Sequence, residues 1–129
     1  MGVMDPVAAN AALPGPEREV LALLAESGFG YAGIGELLGL RPEAVAELAA
    51  GARLRLAGSG PGELPDACRA QLPHLAATID GEAIASPDPA HLSSCPACAN
   101  AREAMRAAAA AYDAWRPPGM PDELRSRLR

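Results

Sequence analysis

The stretch His91-Leu92-Ser93-Ser94-Cys95-Pro96-Ala97-Cys98 is an H-x3-C-x2-C array. His91 and Cys95 stand one helical turn apart and share a face, and the C-x2-C places a second thiolate three residues on, so three donors converge from one local segment. That donor set points to a tetrahedral zinc ion. Three donors do not close a structural site, and Cys68, the remaining one of three cysteines, lies in an upstream helical segment where it can supply the fourth. His74 competes for that place, but it lies six residues beyond Cys68 and off its face, with Pro73 just before it.

Length and composition agree with a metal-stapled fold. At 129 residues the chain suits one modest domain or two very small ones, and a small core commonly needs such a staple. Half of the residues are apolar, yet alanine dominates them, with one Phe, one Trp and two Tyr. The core is therefore expected to be thin and made of closely packed helices. Eleven basic residues against sixteen acidic ones give a formal net charge of −5, a poor balance for general polyanion binding. Charge or proline breaks every apolar run before it reaches membrane-spanning length, so no membrane or targeting segment is expected. A C-x2-C beside a histidine suits a reducing compartment, where thiols stay available to metals, and places the chain in the cytoplasm.

Punctuation divides the chain. Residues 1–15, with Pro6, Pro14 and Gly15, are expected to be a disordered lead-in that stops where Pro16 opens a helix. Val20, Leu21, Leu23 and Leu24 recur at helical spacing up to Ser27-Gly28; a second helix is expected over Tyr31 to Leu38 and a third from Pro42 to about Ala57. Gly58-Ser59-Gly60-Pro61-Gly62 reads as a linker, residues 58–64. Beyond it, Pro65 to Ile79 reads as one helix ending at Asp80-Gly81, Ser86 to Pro89 as a loop, and Ala90 to about Arg116 as a metal-bearing turn running into a long alanine-rich helix. Pro117-Pro118-Gly119 ends it and leaves a charged tail, 117–129. The expected fold is all-α: a three-helix module over 16–57 and a small zinc-binding helical domain over 65–116.

The first module, from Pro16-Glu17-Arg18-Glu19-Val20-Leu21 through Leu38-Gly39-Leu40 and Val45 to Ala52-Arg53, resembles region 4 of extracytoplasmic-function sigma factors, a helix-turn-helix. In that family the DNA contacts follow the valine of the third helix, where this chain has Ala46, Glu47 and Leu48. Base readout needs Arg, Lys, Asn or Gln, and Glu43 and Glu47 would meet a polyanion with like charge. Arg41, Arg53 and Arg55 remain as phosphate or partner contacts, but residues 1–57 hold four Arg against seven acidic residues. Any three short helices with a glycine turn share much of this pattern.

The second module, Cys68 to Met105, resembles the zinc-containing anti-sigma factor family on Cys68, the Asp80-Gly81-Glu82 turn, and His91, Cys95 and Cys98. The resemblance implies a Zn2+ held by Cys68, His91, Cys95 and Cys98, and a following helix that helps occlude a sigma factor. On that helix Arg102, Met105, Arg106, Tyr112 and Trp115 are the contact candidates, with packing inside this chain competing for Met105, Tyr112 and Trp115. Removing zinc is expected to loosen residues 65–115 before 17–57.

The function expected from these parts is that of a zinc-binding transcription regulator, an anti-sigma factor whose partner is a sigma factor. The alternative is a region 4-like regulator that contacts promoter DNA or RNA polymerase, disfavoured by the acidic charge and controlled in cis by the zinc domain. A redox-responsive zinc site, in which oxidation ejects the metal, is a third reading. No Ser/His/Asp set, paired carboxylate site or phosphate loop is present and four protein ligands leave no open metal position, so neither catalysis nor a small-molecule substrate is expected.

Overall fold

Proline and glycine set the helix boundaries in the first half of the chain. The computed structural model describes residues 6–26 and 28–115; the start of the expected lead-in and the tail 117–129 lie outside the described residues. Helix α1 runs Pro6–Ala11, α2 Gly15–Glu26, α3 Tyr31–Leu38 and α4 Pro42–Leu56. Gly39 closes α3 in the left-handed conformation at φ 74°, which glycine adopts without a Cβ penalty. Proline opens α4, and the carbonyls of its last turn accept from the amides of Ala57, Gly58 and Ser59.

The expected lead-in is corrected over residues 6–11. They are helical, α1 packs on α4, and Ala9 and Leu13 are buried. An alanine-rich stretch has helix propensity of its own, and two apolar side chains give it a surface to bury.

The α3–α4 turn is tight. The Leu40 amide donates to the Gly35 carbonyl at 2.8 Å, and a Cβ on Gly35 would fall on the Leu40 carbonyl oxygen. That oxygen is backbone and cannot swing aside, so Gly35→Ala is expected to cost about 1–3 kcal/mol of unfolding free energy, the usual range for overpacking. Urea denaturation checks this, and an unchanged midpoint would refute the tight turn.

After α4, a 3-10 turn at Pro61–Glu63 leads to α5 (Asp66–Arg69), α6 (Leu72–Asp80), α7 (Pro89–Ser94) and α8 (Pro96–Trp115). The single helix expected from Pro65 to Ile79 is broken at Ala70-Gln71. Pro73 lacks an N–H, and its ring would clash with the Arg69 carbonyl four residues back. In α8 the buried residues Cys98, Ala101, Met105, Ala108 and Tyr112 recur at alternating steps of three and four, which keeps one stripe of the helix inward.

The all-α expectation holds: every regular element among the described residues is helical. None of these helices is long and apolar enough to cross a membrane. The reading of 58–64 as a linker between two separate modules is corrected, because both halves contribute to one core. Helix α4 is its axle, packing against α2, α3, α6 and α8. Val20, Leu23, Tyr31 and Ile34 from the first half join Cys68, Leu72, Leu75, Cys98 and Met105 from the second around Val45, Ala46, Ala49 and Ala50. Alanines on the middle helix let its neighbours approach from several sides. A smaller cluster of Leu13, Leu21, Ala52 and Tyr112 closes the far end of α8.

A charged network is buried inside this frame. Arg53, 6 % exposed, donates from Nη1 and Nη2 to the Asp80 carboxylate at 2.8 and 2.7 Å, and the Tyr31 hydroxyl donates to the same carboxylate. The network ties α3, α4 and α6 together across the two halves.

Candidate metal centre

Two short helices, the start of a long one and the residue between the last two bring the four donors together. Cys68 lies on α5 and is buried; His91 lies on α7; Cys95 is the extended residue between α7 and α8, at φ −102° and ψ 111°; Cys98 is buried in the first turn of α8. The break before Pro96 follows from the restriction that proline places on its preceding residue, and it swings the Cys95 sulfur toward the others.

His91 Nε2 stands 3.7 Å from Cys68 Sγ and 3.4 Å from Cys98 Sγ, and Cys68 Sγ stands 3.6 Å from Cys95 Sγ. All four donor atoms lie within 4.8 Å of one another. A zinc tetrahedron with Zn–S near 2.3 Å and Zn–N near 2.0 Å has ligand-to-ligand edges of roughly 3.5–3.8 Å. These three separations lie within about 0.1 Å of those edges. All three cysteines are free thiols, so the cluster is a set of open donors rather than a disulfide.

Electrostatics distinguish the three sulfurs. Burial pushes the Cys98 thiol up to about 12, helped by its sulfur neighbours, and burial also raises Cys68. Cys95 is lowered, chiefly because the Cys98 backbone N–H donates to its sulfur. The surroundings thus oppose thiolates at Cys68 and Cys98, and a divalent cation among the sulfurs would reverse that preference.

A pH prediction follows for the metal-free chain. In the folded state Cys98, Cys68 and Tyr31 hold their protons above their ordinary values, Tyr31 through burial and then its bond to Asp80. The folded chain then binds more protons than the unfolded chain at alkaline pH, so its stability is full below the unfolded thiol value of 9.0 and falls as pH rises toward about 12. The lowered Cys95 works in the opposite direction and offsets part of this. Urea midpoints of chelator-treated protein from pH 7 to 10.5 test the sign, and a rising midpoint would contradict it.

The other expected site residues fall into different places. His74 is not in the cluster; its Nδ1 donates to the Ile84 carbonyl at 2.6 Å. Arg53 is corrected as a phosphate contact, being buried against Asp80. Arg55 is paired with Glu17 at 3.1 Å, and Arg41 is exposed at the start of α4. On the expected DNA-reading face, Ala46 is fully buried and only Glu47 is exposed. On α8, Met105 and Tyr112 are core residues, Arg102 reaches Thr78 Oγ1 at 3.3 Å, Arg106 pairs with Glu103, and Trp115 stacks edge-on against Tyr112.

Sequence reading missed the polar residues that fasten the segment before α7. Gln71 is 1 % exposed and bonds to Ser86 and Asp88, and Asp88 caps α7 by accepting from the His91 amide at 3.1 Å. Asp88-Pro89 carries the signal of a helix start, an N-cap acid before a first-turn proline. No family model, no curated protein and no solved structure matches the chain.

Proposed function

We propose that this chain is a zinc-binding transcription regulator of the cytoplasm, an anti-sigma factor that sequesters a sigma factor. The observation that carries the reading is the convergence of Cys68, His91, Cys95 and Cys98 at tetrahedral spacing. These are the four positions that the resemblance to the zinc-containing anti-sigma family assigns as ligands.

Bound there, zinc supplies a structural cross-link among α5, α7 and α8 and lowers the protonation of the buried thiols. A site closed by four protein donors leaves no coordination position for a substrate, which favours a binding role over catalysis. Among the contact candidates on α8, the exposed Arg106 and the half-exposed Arg102 and Trp115 offer side chains to a partner, while Met105 and Tyr112 hold the helix to the core. Promoter DNA is a weaker partner, because Arg53 and Arg55 are committed to carboxylates within the chain.

The test is to express the tagged chain in its native host, recover it without chelators, and identify what co-purifies while assaying zinc. A sigma factor held beside one zinc per chain supports the reading. A folded, zinc-loaded chain that captures no sigma factor sinks it.

A further inference from the structure

Gln71 is an unusual residue to find fully enclosed: its side chain is polar, yet only 1 % of it is exposed. Both ends of its amide are used. Nε2 donates to the Asp88 carbonyl at 3.0 Å, and Oε1 accepts from the Ser86 hydroxyl at 2.7 Å. Ser86 Oγ in turn accepts from the Asp88 amide at 3.2 Å, so Gln71, Ser86 and Asp88 form a closed ring. Asp88 then starts α7, its carboxylate taking the His91 amide and its carbonyl the Leu92 amide. On the other side, the Gln71 amide donates to the Cys68 carbonyl at 3.0 Å. One residue thus bridges the backbone that carries Cys68 and the backbone that carries His91.

We propose that Gln71 is the positioning residue of the metal centre: it sets the angle and depth at which His91 meets the three sulfurs. The inference rests on the zinc reading above. His91 needs such support more than the cysteines do. Its helix has only six residues, and its imidazole is half-exposed, whereas Cys68 and Cys98 are held by the core. A short helix has little intrinsic stability, so its orientation comes from whatever fixes its first turn. Here that is the Gln71 ring, with His74 holding Ile84 further back along the same connection. Outer residues that orient metal ligands typically change metal affinity by about 10–100-fold when removed.

Gln71→Met keeps the length and removes both hydrogen bonds. Titrated with Co2+ alone, this variant is expected to bind about 10–100-fold more weakly than the parent chain. At saturating Co2+ its visible absorption is expected to shift toward that of His91→Ala, in which three thiolates remain. Leu75→Ala, on the helix that Gln71 precedes and buried in the core, is the control. It lowers stability without touching the connection, so its saturated spectrum stays that of the parent chain. Should Gln71→Met fail to fold, Ser86→Ala opens the ring from outside the core and is expected to shift the spectrum the same way by less. Parental spectra and affinities in both variants would overturn the proposal. A parent chain that takes up neither Co2+ nor Zn2+ would instead remove the zinc reading on which it stands.

Discussion

Stripping the metal from zinc-loaded protein with a chelator is expected to lower its unfolding free energy by about 4 kcal/mol or more, the linkage value for a ligand held at a thousand times its dissociation constant. Structural zinc sites commonly bind more tightly than that. Cys98→Ser is expected to do the same without chelator, since it removes a buried donor from the centre of the cluster. The loss should extend beyond the second half. Cys68 and Cys98 lie in the same packed cluster as Val20, Tyr31 and Ala46, so slackening α5 and α8 removes one wall of α4. This replaces the expectation, drawn from two separate modules, that residues 65–115 loosen first. Amide hydrogen exchange with and without metal decides the matter. Protection lost together in α2–α4 and α6–α8 supports the shared core, and protection kept in α2–α4 alone would oppose it.

Asp80→Ala is the second large effect expected. It leaves the Arg53 guanidinium inside the protein with no carboxylate, and the Tyr31 hydroxyl with no acceptor there. Breaking a buried pair by removing one partner costs about 3–5 kcal/mol, because the remaining charge is uncompensated. Arg53 has little slack to recover, as its Nε is buried with no hydrogen-bond partner among the described residues. Urea denaturation gives the number. A cost below about 1 kcal/mol, the scale of a surface ion pair, would mean that the guanidinium escapes to water.

The sequence carried the punctuated parts of this structure legibly. Pro16, Gly39, Pro42 and Gly81 mark helix ends that proline and glycine stereochemistry imposes locally, and α2, α3 and α4 lie where those residues put them. The Cys/His cluster is legible for a related reason: three of its four residues sit within eight positions, so their convergence hardly depends on the rest of the chain. What could not be read was long-range. The alanines of α4 are buried on several sides, and alanine carries too little hydrophobic contrast to show which faces are covered. Arg53 looked like a surface cation because its partner is 27 residues away. Gln71 carried no signal at all, since its partners are a backbone carbonyl and a serine. In the lead-in the prolines carry the local signal, whereas the burial of Ala9 and Leu13 depends on residues far along the chain.

The axle position of α4 has a consequence for how such a chain can have diversified. A glycine- and proline-rich stretch at 58–62 looks like a seam where halves from different ancestors could be joined. Yet the first half on its own would present Ala46, Ala49, Ala50 and the Arg53 guanidinium to whatever it was fused to. A new second half would have to supply an acid at the place of Asp80 and small-residue contacts along α4 before the join could fold. Replacing either half by an unrelated one at that stretch is therefore expected to unfold the chain, because neither half alone covers α4.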